Sequence, residues 1–353
     1  METHAPQTRL RLPAEWEPQD FVQLTWPHEE TDWKPIIGEI TATYIDMALA
    51  IASREDVVIV SQQPGDAQYV LRHAATPEQL ARMHFLSCPT DDTWARDHGF
   101  LTLTDGERCR FLDFRFNGWG EKFPAEKDNQ INARLYASHL LQGDYESQLD
   151  FVLEGGSIES DGRGTVFTTA PCLLAPHRNQ PLTRQQIDDR LRQALHADRV
   201  VWLEHGQLTG DDTDGHIDTL VRVAPDDTLL YVGCGKRRDE QNKELRLLEK
   251  ELQQLRTTDG RPYRLLRLPM PERMEWEGER LPATYANFLV INGAVLVPTY
   301  RQPETDREAM DIIGQAFPDR EIVGIDSAYI VIQHGSLHCC TMQYPKGSLA
   351  RPL

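Results

Sequence analysis

The spacing of apolar residues alternates between two periods along the chain. Short apolar runs and alternating patterns predict strands, and apolar residues three and four positions apart predict helices. Because each predicted helix is flanked by predicted strands, the pattern indicates an α/β protein. Amphipathic helices are predicted over residues 35–53, 129–141, 183–195, 239–255 and 303–317. Strands are predicted at 57–61, 199–204, 263–268 and 321–325.

Four tight turns connect further pairs of predicted strands. Asp105-Gly106, Asp161-Gly162 and Asn292-Gly293 are dipeptides typical of two-residue hairpin loops. Asp226-Asp227 marks a fourth turn. Hairpins are therefore predicted over residues 100–116, 150–174, 216–234 and 284–300, and a closing segment over residues 336–343.

The order of elements recurs about every sixty residues, since the later helices begin near residues 183, 239 and 303. A period of that size indicates a radial or stacked repeat. Two ordinary α/β domains remain an alternative, because 353 residues fit about two average domains. The absence of an evident linker favours one domain over residues 1–353, with five units in a ring. The early strand 21–26 is expected to pair with the last strand and close that ring.

Charge and composition narrow the class of protein. The chain carries 55 acidic and 37 basic residues, a formal net charge of -18, which should repel nucleic acid and anionic membranes and attract cations. The first ten residues lack a secretory signal pattern, and no apolar run approaches the ~18 residues of a membrane helix. Six cysteines without a C-x-x-C pair argue against a disulfide scaffold or a structural zinc site. We therefore expect a cytoplasmic protein.

Two polar segments lie at predicted strand ends or turns, and the first of them suits the binding of a cation. Trp94 and Asp97 stand three positions apart, so the ring is available for stacking and the carboxylate for paired hydrogen bonds with a planar cation. In the second segment Glu154 precedes Gly155 and Gly156. Glycine weakens a strand unless a bulge or a close approach to the backbone requires it.

A third segment, residues 211–218, is rich in aspartate. If residues 215–223 form a strand, His216 and Asp218 point to the same face, because side chains alternate along a strand. Such a pair suits acid–base chemistry or a metal ion, and the neighbouring aspartates leave the metal open as an alternative.

The fourth segment contains Cys339 and Cys340, which alternation would place on opposite faces, so only one of them can face a site shared with His216. A cysteine nucleophile needs a histidine elsewhere in the chain, and His216 meets that need. A thiol, a histidine–carboxylate pair and spare carboxylates together suggest nucleophilic attack on a cationic carbon such as that of a guanidinium group.

These segments resemble the motifs of agmatine deiminases, within the guanidino-group-modifying pentein superfamily that also includes bacterial peptidylarginine deiminases. The resemblance runs in order from about residue 16 to 345. It is carried by Trp26-Pro27-His28-Glu29, Asp92-Thr93-Trp94-Ala95-Arg96-Asp97-His98-Gly99, Phe116-Asn117-Gly118-Trp119-Gly120, Leu153-Glu154-Gly155-Gly156-Ser157, Gly215-His216-Ile217-Asp218, Asn287-Phe288-Leu289 and His338-Cys339.

The resemblance implies a five-fold pseudosymmetric α/β-propeller of repeated ββαβ units, often dimeric, that needs no metal or organic cofactor. It implies that Cys339 is the nucleophile and His216 the general acid and base. Asp97 and Asp218 would hold the guanidinium and Glu154 would support the charged form of His216. Trp94 would form a wall of the pocket. Trp119 and Asp212 complete the implied substrate-binding set, with Asp212, an aspartate where relatives often have glutamate, towards the far end of the substrate.

The implied reaction converts agmatine to N-carbamoylputrescine and ammonia through a covalent thiouronium intermediate. Deimination of arginine or peptidylarginine is the nearest alternative, and Arg115 is its candidate for binding a carboxylate or a peptide carbonyl. A catalytically silent guanidine-binding protein and a metallohydrolase that uses the aspartate-rich loop are further alternatives. By alternation Cys340 is expected to be a buried packing thiol.

Overall fold

Strands and helices alternate through the whole of the computed structural model, which describes residues 9–233 and 239–350. Cys234, at the end of one predicted hairpin, lies outside the described residues. The strands are β1 Gln19–Thr25, β2 Asp56–Ser61, β3 Met83–Ser87, β4 Leu101–Thr104, β5 Cys109–Arg115, β6 Asp144–Val152, β7 Ile158–Ser160, β8 Thr165–Thr169, β9 Arg199–Leu203, β10 Val221–Ala224, β11 Thr228–Val232, β12 Arg264–Leu268, β13 Glu275–Trp276, β14 Glu279–Arg280, β15 Leu289–Ile291, β16 Ala294–Thr299, β17 Glu321–Asp326 and β18 Thr341–Pro345.

The helices are mostly short, and the five longest are amphipathic. They are α1 Ile37–Ala52, α2 Pro64–Ala74, α3 Pro77–Leu80, α4 Ala95–His98, α5 Gly118–Glu121, α6 Ile131–Ala137, α7 Ala170–Leu173, α8 Arg184–Leu195, α9 Asn242–Gln254 and α10 Pro303–Ala316. Single turns of 3-10 helix occur at Lys34–Ile36, Asp128–Gln130, Gly155–Ser157, Ile217–Thr219 and Ile330–Gln333.

Five sheets of the described chain share one topology, in which a central strand has an antiparallel neighbour and a parallel neighbour. Their orders are β18-β1-β2-β3, β4-β5-β6, β7-β8-β9, β10-β11-β12 and β15-β16-β17. One or two helices stand between the two parallel strands of each sheet, as expected for a parallel connection. The predicted pairing of the early strand with the last strand is confirmed, with Val22 opposite Gln343 and Leu24 opposite Thr341.

The four predicted hairpin turns are confirmed by the antiparallel pairs β4–β5, β7–β8, β10–β11 and β15–β16. Asp226 and Asp227 both have positive φ, at 57° and 53°, which is the backbone of a type I′ turn. Gly293 has φ 73°, a conformation that glycine adopts without strain. Local backbone chemistry therefore accounts for these turns.

Helix α1 with the 3-10 turn before it, Lys34–Ala52, is long and apolar enough by composition to span a membrane, with a hydropathy of 1.3. The sequence analysis expected no such segment. A core helix of a soluble protein passes the same test, and Ile40, Tyr44, Met47 and Ile51 of this helix are buried at helical spacing in the largest apolar cluster. The finding is therefore weak evidence for a membrane span.

Three irregular segments differ from the strands that the sequence predicts. Residues 217–219 form a 3-10 turn, so alternation along a strand is the wrong reason for placing His216 beside Asp218. Gly155–Ser157 is a second 3-10 turn, between β6 and β7, and therefore lies outside a strand. Cys339 and Cys340 lie in a turn before β18, so strand alternation does not decide their directions either. Each segment leads directly into the first strand of a sheet.

Candidate active site

Each of the five sheets contributes to one buried cluster. The contributing segment precedes the antiparallel outer strand of the sheet, which is β4, β7, β10, β15 or β18. Asp97 lies in α4 before β4, and Gly156 lies in the 3-10 turn before β7. Asp218 precedes β10, Asn287 precedes β15 and Cys339 precedes β18. The repeated topology therefore brings together residues as distant in the chain as Asp97 and Cys339.

Asn287 connects the segment of Cys339 to that of Asp218. The backbone N–H of Cys339 donates to Asn287 Oδ1 at 3.2 Å, and Asn287 Nδ2 donates to Asp218 Oδ2 at 3.1 Å. The Cys339 thiol lies 3.6 Å from the same carboxylate oxygen. Burial, together with the negative charges of Asp218 and Asp97, raises the pKa of the Cys339 thiol well above its usual value. The thiol is therefore protonated at neutral pH in the free protein.

His338, the residue before the thiol, supports Asp218. Its Nδ1 lies 2.8 Å from Asp218 Oδ2, and its Nε2 lies 2.7 Å from Glu15 Oε1. Burial raises the pKa of Asp218, but the hydrogen bond with His338 and the nearby charges of His216 and Arg222 bring it below its ordinary value. Asp218 is therefore ionised, and its Oδ1 is buried without a hydrogen-bond partner among the described residues.

Asp97 is the second buried carboxylate of the cluster. Its Oδ1 accepts from the Gly156 N–H at 3.0 Å, and its Oδ2 accepts from Trp119 Nε1 at 3.0 Å. Trp119 itself has the rare positive φ of 57°. Burial and the charge of Asp218 raise the pKa of Asp97, whereas nearby His216 lowers it, and the result is a pKa of about 6. Asp97 is therefore mainly ionised at neutral pH, and a bound cation would favour that form further.

Gly156 lies where the titratable groups meet, and that position leaves no room for a side chain. A Cβ atom there would lie 2.6 Å from His216 Nδ1, 2.8 Å from Asp97 Oδ1 and 3.1 Å from Asp218 Oδ2. This explains the second glycine after Glu154. The close approach to the backbone expected from the glycine pair is present, although the segment is a turn.

His216 is fully buried, and neither ring nitrogen has a hydrogen-bond partner in the part of the chain that the structure describes. Its Nδ1 lies 3.7 Å from Asp97 Oδ1. Burial disfavours the imidazolium, but the negative charges of Asp97 and Glu154, with the neighbouring Cys172 sulfur, outweigh burial and hold the pKa of His216 well above its ordinary value. The histidine is therefore poised as a proton donor.

Glu154 lies near His216, but its hydrogen-bond partner is Arg178. Glu154 Oε1 accepts from Arg178 Nε at 3.0 Å, and both side chains are wholly buried. Arg178 also donates to Asp214 Oδ2 at 2.6 Å and to the Thr213 carbonyl at 2.8 Å. It thereby fixes Glu154 to the aspartate-rich loop. The sequence analysis missed Arg178, since no local pattern around it marks a site.

The aspartate-rich loop uses most of its carboxylates internally. Asp211 accepts from the N–H groups of Thr213 at 3.1 Å and Gly215 at 2.6 Å. Asp214 pairs with Arg178 and with Lys122. These contacts shape the turn that presents His216. They leave Asp212 as the aspartate of this loop that lines the neighbouring cavity.

The cluster borders that cavity through Asp97 and Cys339, whereas Asp218, His216 and Glu154 are not among its described lining residues. Trp94 forms part of its wall and packs so closely on Gly335 that a Cβ there would lie 2.1 Å from the ring. His334 is the one basic side chain among the described lining residues. The lining comprises Asp32, Asp92, Trp94, Asp97, Trp119, Phe123, Asp212, Thr213, Thr219, Gln333, His334, Gly335 and Cys339.

Arg115 and Cys340 lie away from this cavity. Arg115 is exposed at the end of β5 and lines a different, neighbouring cavity together with Lys122 and Phe123. Cys340 is fully buried, and burial raises the pKa of its thiol to about 12. Its neighbour is the hydroxyl of Tyr44. Of the two adjacent cysteines, Cys339 borders the cavity.

Comparison with known proteins identifies the family. The model of the Porphyromonas-type peptidyl-arginine deiminases matches residues 11–345. The chain belongs to this family. Membership in the Porphyromonas-type peptidyl-arginine deiminases makes the chain a hydrolase of guanidino C–N bonds, with the mixed α/β fold of the pentein superfamily.

Three known proteins are similar to this chain over nearly its whole length. The "putative agmatine deiminase" of Marinomonas sp. (strain MWYL1) is 33% identical over 362 residues, covering 96% of this chain and 95% of that protein. A "putative arginine deiminase" structure from Porphyromonas gingivalis is 48% identical, with a TM-score of 0.91 over 97% of this chain and 100% of that one. A substrate-bound cysteine-to-serine agmatine deiminase from C. jejuni is 33% identical, with a TM-score of 0.88 over 98% and 99%.

Proposed function

We propose that this protein is an agmatine deiminase, which hydrolyses the guanidinium of agmatine to N-carbamoylputrescine and ammonia. One observation carries the proposal. The Cys339 thiol and the Asp97 carboxylate line a cavity whose described lining holds carboxylates and aromatic rings but no lysine or arginine, and the Asp218 carboxylate lies 3.6 Å from that thiol. Agmatine is a cation at both ends and carries no carboxylate, so such a cavity complements its charge.

The two buried carboxylates are the proposed guanidinium ligands. A planar guanidinium presents five N–H donors, and a pair of flanking carboxylates satisfies several of them with charge-assisted hydrogen bonds. Asp218 Oδ1 is buried and lacks a partner among the described residues, so a donor from the substrate would satisfy it. The Trp94 ring would pack against the plane of the cation.

In the first half of the proposed reaction, Cys339 Sγ attacks the central carbon and forms a C–S bond. The C–N bond then breaks as imidazolium His216 gives its proton to the departing ammonia. The product of this half is a thiouronium adduct. In the second half neutral His216 takes a proton from water and the hydroxide attacks the same carbon. The C–S bond then breaks as the added hydroxyl loses its proton to solvent, where it is taken up by the released ammonia, and the ureido product and the thiolate result.

The raised pKa of the Cys339 thiol has a direct consequence for this reaction. The charges of Asp97 and Asp218 disfavour the thiolate until a cation neutralises them. Binding of the guanidinium therefore lowers the free energy of the thiolate beside it, and the thiol releases its proton to solvent to form the nucleophile with substrate in place. We assign Glu154, positioned by Arg178, to maintaining the charged form of His216. No step of the proposal passes through a metal or an organic cofactor.

Deimination of arginine or peptidylarginine is the second candidate function. It is favoured by the family's description and by the 48% identity to the "putative arginine deiminase" of Porphyromonas gingivalis. A carboxylate or peptide carbonyl on the substrate needs a donor. Arg115 lines the neighbouring cavity, and Lys122 approaches the loop of Asp212, its Nζ lying 2.5 Å from the Asp212 carbonyl.

We further infer that the five sheets are the blades of a five-fold pseudosymmetric propeller of ββαβ units, forming a single domain over residues 1–353. The common topology of the sheets, and the cluster to which each of them contributes, support this arrangement. One family model spans residues 11–345 as a unit. A homodimer in the cytoplasm completes the proposal, following the resemblance to agmatine deiminases.

The test of substrate is ammonia release by purified protein from agmatine, free arginine and a blocked arginine peptide, each with and without a chelator. We expect release from agmatine at a kcat/KM at least about a hundredfold above the other two, unchanged by the chelator. A preference for arginine or for the peptide would contradict the agmatine assignment and support the second candidate function. Loss of activity with chelator would contradict the metal-free mechanism.

A further inference from the structure

A second thiol, which the proposed reaction does not use, lies close to the acid–base histidine. Cys172 is fully buried in α7, and its sulfur belongs to a compact group with Glu154 and His216. One ligand atom from each of the three side chains lies within 4.8 Å of the others. The three residues come from separate segments of the chain, so the fold itself assembles the group.

The group contains buried polar atoms without a hydrogen-bond partner among the described residues. Glu154 Oε2 and both ring nitrogens of His216 have no hydrogen-bond partner in residues 9–233 and 239–350. Arg178 holds the other oxygen of Glu154 at 3.0 Å and so leaves Oε2 for a further contact. Buried polar atoms are nearly always satisfied in native proteins, so these atoms indicate a site for a ligand.

The donor set defines the chemical class of that ligand. A thiolate and an imidazole favour Zn²⁺ and similar ions over Mg²⁺ or Ca²⁺, which prefer oxygen ligands. The thiolate and carboxylate would balance the two charges of the ion. Bonds of about 2.0–2.3 Å in tetrahedral geometry place ligand atoms about 3.5 Å apart. The ligand atoms of this group are no more than 4.8 Å apart, so small side-chain movements would bring them to that spacing.

We propose that Glu154, Cys172 and His216 form an inhibitory binding site for Zn²⁺ or a cation of similar chemistry. A metal bound to the imidazole takes the electron pair that would otherwise accept a proton, so His216 no longer transfers protons. This inhibitory effect rests on the proposed function. Binding of the ion to the three side chains does not, and the two are tested separately.

Co²⁺ is the probe for binding, because a thiolate ligand gives it a charge-transfer absorption band that oxygen and nitrogen ligands do not give. The full chain is freed of metal with a chelator and titrated with Co²⁺ alone. Wild type, Cys88→Ser and Cys339→Ser are expected to develop the band with one equivalent of Co²⁺. Cys172→Ser is expected to lose it. Cys88 is the matched control, since it is also a buried free thiol.

Glu154→Gln provides a second variant that keeps all cysteines, and it is expected to weaken Co²⁺ binding about tenfold or more while retaining the band. Zn²⁺ should displace Co²⁺ from wild type and abolish the band. A band lost in Cys339→Ser but kept in Cys172→Ser would overturn the site, because the nucleophile would then be the ligand. Absence of a band in wild type, or unchanged affinity in Glu154→Gln, would also overturn it.

The consequence for catalysis is measured with ZnCl₂ alone in the ammonia assay. We expect activity to fall in proportion to occupancy of the site and to return when a chelator is added in excess. Full activity at a Zn²⁺ concentration that displaces Co²⁺ would contradict the inhibitory role. If no substrate is turned over at all, the Co²⁺ spectra still decide whether the site exists, so that failure belongs to the proposed function.

Discussion

The Cys339 sulfur lies 3.6 Å from Oδ2 of Asp218, so the proposed nucleophile and a proposed guanidinium ligand share one contact before substrate is present. The same oxygen accepts from Asn287 and lies beside His338 Nδ1. A substrate cation entering between thiol and carboxylate would exchange this contact for a stronger, charge-assisted one. This relationship joins the reactivity of the thiol to the binding of a cation.

The reactivity of Cys339 in the free enzyme should therefore be low at neutral pH. Since negative neighbours disfavour the thiolate, Asp218→Asn is expected to lower the pKa of the thiol and to accelerate its alkylation by iodoacetamide roughly tenfold at neutral pH. The measurement is the rate of Cys339 labelling, followed by mass spectrometry over a pH series. Asp189→Asn, at an exposed position on α8, is the control. Slower labelling in Asp218→Asn would contradict the electrostatic argument.

The charge on Glu154 should be visible in the pH dependence of catalysis. Negative neighbours raise the pKa of His216, and the imidazolium is the proposed proton donor to ammonia. Activity that requires this imidazolium falls as pH rises through the pKa of His216. Glu154→Gln removes one of the charges, so the alkaline limb of kcat/KM should move to lower pH. An alkaline limb that stays at the same pH or moves to higher pH would show that the charge of Glu154 does not raise the pKa of His216.

Gly156 offers a steric test with a matched control. Gly156→Ala would place a Cβ 2.6 Å from His216 Nδ1 and 2.8 Å from Asp97 Oδ1, and we expect a loss of about a hundredfold or more in kcat. Gly65→Ala, in α2 with nothing within 4 Å of its added Cβ, should keep full activity and gain up to about 1 kcal/mol in stability. Thermal melting accompanies both assays. An active Gly156→Ala enzyme would show that the three groups need not meet there.

Asp212 is the proposed contact for the far amine of agmatine, since it lines the cavity and is the loop aspartate least used by its own turn. Asp212→Asn is expected to raise KM for agmatine about tenfold while changing kcat less. n-Butylguanidine has the same chain without the amine, so its KM should be unaffected by the substitution. Equal effects on both compounds would place Asp212 outside the far-end contact.

Local backbone chemistry explains why the elements of the fold were predictable. The hairpin dipeptides impose positive φ, and the helices carry buried residues at helical spacing, as Ile40, Tyr44 and Met47 do in α1. Strand β6 was largely missed because most of its residues are exposed and it shows little apolar alternation. The pairing of β1 with β18 was predictable only from the repeat, since nothing local specifies so distant a partner.

The sequence predicts most residues of the site but not the local structure that brings them together. His216 and Asp218 do converge, yet a 3-10 turn places them, fixed by the bond from the Thr219 hydroxyl to the His216 carbonyl at 2.8 Å. Cys172 and Arg178 carry no local signal. Their importance arises from contacts across sheets, with His216 and Glu154 respectively, that only the folded chain creates. Asn287 was part of a recognised motif without an assigned role.

Substitution of each of the two adjacent cysteines tests most directly the claim that Cys339 is the nucleophile. Agmatine turnover is measured for wild type, Cys339→Ser and Cys340→Ser, with the product identified by mass as N-carbamoylputrescine and folding checked by circular dichroism. We predict that wild type and Cys340→Ser form the product at similar rates and that Cys339→Ser forms none. Product formation by Cys339→Ser, or a folded but inactive Cys340→Ser enzyme, would contradict the assignment of Cys339 as the nucleophile.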